Sequence, residues 1–320
     1  MKPLLTVAHL KTYFETDDGA FVRANDDVSL GVCEGELVAV VGESGCGKST
    51  VALSILRLIK RPGRIIEGTV FFRDIELLKL SEEEMRKIRG KEISIVFQNP
   101  VTYLNPVMKI GDQIAENAMF HMELDKKGAK VKALEVLKQV KIPTPERIFQ
   151  SYPHELSGGM KQRVLIAIAI VCHPLLVMLD EPTTALDVTI QGQILQLIKD
   201  LRNRLGMSMI LITHDLGIVA DIADRVYIMY AGQIVEHSDV FSIFREPLHP
   251  YSKALLNSVL SINEYKENLV SIPGVVPDLR NPPTGCRFHP RCSRRKDICI
   301  KEIPLLKEEK EGHFISCWDV

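Results

Sequence analysis

The chain has 320 residues, 46% of them apolar, and a formal net charge of −1. That is ample material for one large core or two ordinary ones, and it offers no global attraction to nucleic acid, whose binders carry a basic face. The longest apolar stretch, Val164 to Cys172, is about half of what a membrane span needs, and the N-terminus lacks the basic-then-apolar layout of a secretory signal, so a soluble, cytoplasmic globular protein is expected.

Leu4 to Tyr13 and Asp27 to Val32 read as antiparallel edge strands around the turn-rich Thr16-Asp17-Asp18-Gly19. Tyr13, or Phe14 beside it, offers a π-face to a purine; alternation along a strand sends one of the two inward, and Tyr13 is the favoured platform. The apolar run Leu37 to Val41 reads as a buried strand and Val51 to Lys60 as a helix, with Gly42-Glu43-Ser44-Gly45-Cys46-Gly47-Lys48-Ser49-Thr50 between them. Strand, glycine-rich turn and helix make a phosphate cradle. Gly42, Gly45 and Gly47 let the chain wrap an anion, Lys48 lies against the β- and γ-phosphates, and the Ser49 hydroxyl reaches Mg²⁺. The helix N-terminus adds partial positive charge. Cys46 is a small residue facing away from the ligand, which by its class is a nucleoside triphosphate.

Ser81-Glu82-Glu83-Glu84 has the form of a capping box opening a helix. Ile93 to Phe97 is a second buried strand; it ends at Gln98, whose amide oxygen can face Mg²⁺ and whose NH₂ can hold water. Residues 101 to 150 carry helical periodicity, with helices at Ile110 to Met122 and Ala129 to Val140 and with Pro143 and Pro145 ending the second. Such an insert is a surface for a partner. Leu156-Ser157-Gly158-Gly159-Met160-Lys161-Gln162-Arg163 reads as a helix N-cap followed by exposed amides, a second anion site. Leu175 to Leu179 is a buried strand ending in Asp180 and Glu181 at the carboxyl edge, where ligands of parallel sheets bind. Asp180 can hold Mg²⁺ through water, and Glu181 can orient and deprotonate a water attacking a γ-phosphate. Ser208 to Thr213 is a further strand, ending in His214.

In this order and spacing the motifs closely resemble the ATP-binding cassette family over about the first 250 residues. They are the Walker A loop at Gly42 to Thr50, the Q-loop glutamine Gln98, the signature Leu156 to Gln162, the Walker B strand ending in Asp180, the glutamate Glu181, the D-loop around Asp187 and the switch histidine His214. The resemblance implies an α/β P-loop NTPase: a RecA-like core, an antiparallel β subdomain and an α-helical subdomain at about 101–172, within a nucleotide-binding domain at 1–250. It also implies that two cassettes pair head to tail, so that Ser157, Gly158 and Gly159 act on the nucleotide of the partner, while His214 holds the γ-phosphate and senses its loss. ATP then favours the closed dimer because it contacts both faces, and hydrolysis removes that preference.

Asn99-Pro100, Leu104-Asn105-Pro106 and Ser151-Tyr152-Pro153-His154-Glu155-Leu156 resemble the oligopeptide and dipeptide importer subgroup, as do the proline-rich turns after Arg245 and Phe288-His289-Pro290-Arg291-Cys292. Nickel importers share these marks. The likeness implies a second, homologous ATPase subunit in a heterodimer, two transmembrane permease subunits, an extracytoplasmic solute-binding protein and a peripheral place on the cytoplasmic face of the cell membrane. Import of di- or oligopeptides is the favoured function. The alternatives are import of nickel or another peptide-like solute, a soluble non-transport ABC ATPase, and an iron–sulfur sensor or carrier that uses ATP for regulation.

Of seven cysteines, Cys286, Cys292, Cys299 and Cys317 fall in the last 35 residues, separated by five, six and seventeen residues within a region at 251–320. The spacing lacks the close pairs of zinc fingers and suits a looping chain around a [4Fe–4S] cluster, which members of the peptide-importer subgroup carry. Zinc, with His289 as a further ligand, comes second and disulfides third. The cluster is expected to staple a loop-rich tail that lacks a core of its own.

Overall fold

The computed structural model describes residues 2–184, 186–258 and 272–319. Its strands are β1 (Pro3–Glu15), β2 (Phe21–Cys33), β3 (Leu37–Val41), β4 (Gly63–Phe72), β5 (Ile75–Glu76), β6 (Ile93–Val96), β7 (Leu176–Asp180), β8 (Ser208–Thr213), β9 (Arg225–Tyr230), β10 (Gln233–Asp239), β11 (Lys307–Lys310) and β12 (His313–Ile315). The elements gather into two compact units: Met1–Lys2, Cys33–Glu36 and Lys79–Leu211 form one, and Pro3–Val32, Leu37–Leu78 and Ile212–Val320 the other.

The first unit sets the strands β8-β7-β6 side by side, with β6 and β7 parallel from Ile93 opposite Leu176 to Val96 opposite Leu179. Every residue of β7 and β8 is buried. That is why these strands read as unbroken apolar runs, as strands covered on both faces do. The helical insert begins with Ile110–Met122, where it was expected, and its second helix is Lys126–Gln139. This helix starts three residues before Ala129 because the Asp125 side chain accepts the Gly128 N–H and caps it. Pro145 corrects the expectation differently: it opens the helix Pro145–Gln150, at a first-turn position where a missing N–H costs nothing. Gly111 lets the insert close, since a Cβ there would stand 2.2 Å from the Phe149 ring.

The second unit holds two sheets. One has the order β2-β1-β4-β5, and β1 runs antiparallel to β4. The other runs β11-β12-β10-β9-β3, with β3 parallel to β9 and the remaining pairs antiparallel. The residues after 250, expected as loops without a core, contribute the β11–β12 hairpin to this sheet, with Phe314 opposite His237 and Ile315 opposite Glu236. They also share a core with β9: the rings of Tyr230, Tyr251 and Phe288 are all buried, their centroids 4.6 to 5.4 Å apart. No helix among the described residues is long and apolar enough to cross a membrane.

Candidate functional site

In the second unit the buried strand β3 runs into the glycine loop, and the helix that follows is Lys48–Ile55, earlier and shorter than the Val51 to Lys60 read from periodicity. Gly47 causes this. At φ 103° it occupies the N-cap with no side-chain cap, leaving the first amides of the helix to an anion. A Cβ on Gly47 would stand 2.0 Å from the Ala24 carbonyl oxygen, and one on Gly42 would stand 2.1 Å from that of Met229. Asn25, which the motif does not announce, is fully buried and donates through Nδ2 to the Gly47 carbonyl at 3.0 Å. Lys48 Nζ donates to the carbonyl oxygens of Gly42 at 2.8 Å and Glu43 at 2.9 Å, which holds the ammonium at the mouth of the loop. Cys46 is fully buried, its Sγ 3.8 Å from Lys48 Nζ, and burial raises the pKa of its thiol. Ser44, Gly45 and Ser49 are on the exposed side and Thr50 is half-buried.

Gly47→Ala is expected to cost about 1–3 kcal/mol in backbone strain alone and to raise the dissociation constant for ATP at least tenfold, read by thermal melting and a nucleotide titration. Wild-type affinity in this variant would show that the loop does not hold the phosphates.

Tyr13 and Phe14 are both half-buried, so strand alternation does not send one of them fully inward, and they differ in what they touch. The Phe14 ring lies against Gly63, whereas the Tyr13 hydroxyl donates to Asp26 Oδ1 at 2.6 Å. Burial first, then that bond, pushes the phenol up to about 12 and keeps it a donor. His214 stands exposed just past β8, next to Asp215, whose carboxylate accepts the Gly217 and Ile218 amides.

The first unit brings together two of the predicted residues. Gln98 Nε2 donates to Glu181 Oε2 at 2.7 Å, so its NH₂ holds the carboxylate rather than water. Thr184 Oγ1, which no motif singles out, donates to the same oxygen at 2.9 Å. Glu181 itself sits at φ 45°, a left-handed turn that swings it off the end of β7 while Asp180 stays buried. In the signature, Ser157 accepts the Met160 N–H at 3.4 Å and caps the helix Gly158–Ile170, leaving Ser157 and Gly158 exposed. A Cβ on Gly159 would stand 2.6 Å from Ile190, so this glycine also permits two helices to meet.

The tail cysteines are all free thiols, which removes the disulfide alternative. Among the described residues no three His, Cys, Asp or Glu groups stand close enough to hold a metal ion, so neither the expected [4Fe–4S] cluster nor zinc finds support in the geometry. His289 Nδ1 is engaged instead with the Cys286 carbonyl at 2.9 Å. Cys292, Cys299 and Cys317 each accept a backbone N–H at 3.4 Å, from Arg294, Lys296 and Asp319, and Cys286 accepts one from Phe288. Burial, reinforced by Cys317, Cys299 and Cys292, pushes the Cys286 thiol up to about 11.

Comparison with known proteins agrees with this geometry. The family model described as ABC transporter matches residues 25–184, and that of the oligopeptide/dipeptide transporter C-terminal region matches residues 235–299. The probable peptide ABC transporter ATP-binding protein y4tR of Sinorhizobium fredii is 49% identical over 98% of this chain and 94% of its own. The oligopeptide transport ATP-binding protein AppD of Bacillus subtilis is 47% identical over 99% of this chain and 97% of its own. Among solved structures, the dimeric post-hydrolysis state of the ATP-binding cassette MJ0796 bound to ADP and Pi is 29% identical, with a TM-score of 0.66 over 74% of this chain and 98% of that one. Fold and site therefore define an ABC ATPase cassette of the P-loop NTPase class. The chain belongs to the ATP-binding subunits of the ABC transporter family, in its oligopeptide/dipeptide group.

Proposed function

We propose that this chain hydrolyses ATP to power import of di- or oligopeptides across the cytoplasmic membrane. The match to the peptide-transporter C-terminal region, on top of the cassette match, supports this reading best. Lys48 and the loop amides hold the phosphates, Ser49, Gln98 and Asp180 serve Mg²⁺, Tyr13 stacks on adenine, and His214 reads the γ-phosphate. Held by Ser49, Gln98 and Asp180, Mg²⁺ would supply positive charge against the phosphate charge that develops in the reaction. Glu181 takes the proton of the attacking water. Ser157 and Gly158, exposed at a helix start, and the half-buried Gly159 beside them act on the nucleotide of a second, homologous ATPase subunit. Two permease subunits and an extracytoplasmic binding protein complete the importer, with this chain bound peripherally on the cytoplasmic side.

The four tail thiols hold a [4Fe–4S] cluster in this reading. Support comes from the donor set: four free cysteines, each accepting a backbone N–H, the number and type of ligand that a [4Fe–4S] cluster takes, spaced without the close pairs usual in zinc fingers. Anaerobic purification should give brown protein with about four iron atoms per chain. Colourless protein carrying only zinc would exclude the cluster.

For transport, cells carrying Lys48→Ala should lose uptake of a labelled dipeptide that cells carrying the wild-type chain take up. Equal uptake by both would reject peptide import, and loss of labelled nickel uptake instead would point to the metal.

A further inference from the structure

Arg291 lies on the tail between Cys286 and Cys292, yet it reaches the phosphate loop. Its Nη1 and Nη2 donate to Glu43 Oε2 at 2.8 Å and Oε1 at 3.1 Å, a bidentate pair. The three remaining N–H groups are also used: Nε donates to the Pro273 carbonyl at 2.8 Å, Nη2 to that of Ile272 at 3.3 Å, and Nη1 to the Tyr230 hydroxyl at 3.3 Å. The side chain is 5% exposed and that of Glu43 25%, so solvent screens the pair little. Glu43 is the second residue of the loop, and its backbone is held as well. Its N–H donates to the buried Tyr251 hydroxyl at 3.0 Å, and its carbonyl accepts Lys48 Nζ. The tail thus grips the residue on which the phosphate-binding lysine rests.

A second arginine repeats the arrangement on the adenine side. Arg287, 4% exposed, pairs with Asp26 and donates to the Ala231 carbonyl, and Asp26 is the acceptor for the Tyr13 hydroxyl. We propose that the cysteine-bearing tail is a strut of the ATP site, in which Arg291 positions the phosphate loop through Glu43 and Arg287 positions Tyr13 through Asp26. Order in the tail is thereby converted into nucleotide affinity. Backbone N–H bonds to the cysteines and the close passage of Gly285 against the Cys299 carbonyl, 2.4 Å from where a Cβ would be, tie the strut to the cysteine region. The inference rests on Gly42 to Thr50 being the ATP loop, and it names what holds that loop.

A fluorescent ATP analogue titrated into the full chain tests it, with steady-state kinetics alongside. Arg291→Gln and Glu43→Gln should each raise Kd and KM about tenfold and leave kcat within about threefold, and the double variant should be no worse than either single one. Arg291→Lys, which keeps the charge and loses the fork, should fall between. Lys310→Ala, whose side chain pairs with Glu246 on the outer hairpin, should bind as wild type. Cys286→Ser should weaken binding in the wild-type background and add nothing to Arg291→Gln. Wild-type Kd in Arg291→Gln, or single effects that add in full, would overturn the strut. Should Arg291→Gln fail to fold, Glu43→Gln decides, because it leaves every tail residue in place: unchanged affinity there rejects the proposal. A wild-type chain that binds no nucleotide would instead reject the ATP loop itself.

Discussion

Glu181→Gln is expected to lower steady-state ATP turnover by about 10²–10⁴-fold, the range a positioned general base supplies, while ATP binding stays within about threefold of wild type. The contacts explain why this substitution separates chemistry from architecture. Gln98 Nε2 and Thr184 Oγ1 both donate to one carboxylate oxygen, and an amide oxygen placed there can accept the same two bonds. The group stays oriented and loses only its capacity to take a proton from water. In the proposed cycle the unhydrolysed γ-phosphate then persists, so the variant should accumulate as an ATP-loaded dimer on size exclusion. Phosphate release measured beside elution volume checks both parts, and wild-type turnover would remove Glu181 from its role. Gln98→Ala, which leaves Thr184 in place, should cost less.

Much of this site is readable because its residues are local in sequence. The loop from Gly42 to Thr50, the cap at Ser157 and the strand ending at Asp180 each place their chemistry within one turn or one strand end, and the structure puts them there. The missed residues reach it from afar. Arg291 and Glu43 are 248 positions apart, and Arg287 and Asp26 are 261 apart, distances at which neither periodicity nor motif spacing carries a signal. Asn25 and Thr184 escaped for a related reason: a lone polar residue beside a motif looks like any solvated one until its partner is seen. Helix boundaries moved where a local device outweighed the apolar pattern, as Gly47 and Pro145 show. The tail looked coreless because its ring partners, Tyr230 and His237, belong to β9 and β10.

The attachment of that tail gives the second large effect. Glu236 is fully buried in β10, where it accepts the amides of Leu248 at 2.7 Å and His249 at 2.9 Å and the His313 Nε2–H at 2.7 Å. Burial opposes its charge, but these bonds outweigh burial and hold its carboxyl below the usual range. Glu236→Ala strands three donors, those of His249 and His313 on buried residues, and should cost about 3–5 kcal/mol, the range found when one partner of a buried pair is removed. Melting should fall on the order of 10 °C, with early proteolysis after residue 300. Acid should act on the same region. His249 is buried with its Nδ1 accepting the Tyr251 N–H, and burial pulls it, like His237, down to about 4. An unfolded histidine titrates near 6.5, so between about 6.5 and 4 the unfolded chain binds more protons than the folded one. This contribution is therefore complete above about pH 6.5 and is lost as pH falls toward 4, on the order of 3 kcal/mol for His249. The Glu236 carboxylate adds its own loss below about 4.5. His249→Asn, which keeps a side-chain acceptor for the Tyr251 amide, should flatten the slope of melting temperature against pH between 6.5 and 4.5. An unchanged slope in that variant would show that the acid sensitivity lies elsewhere.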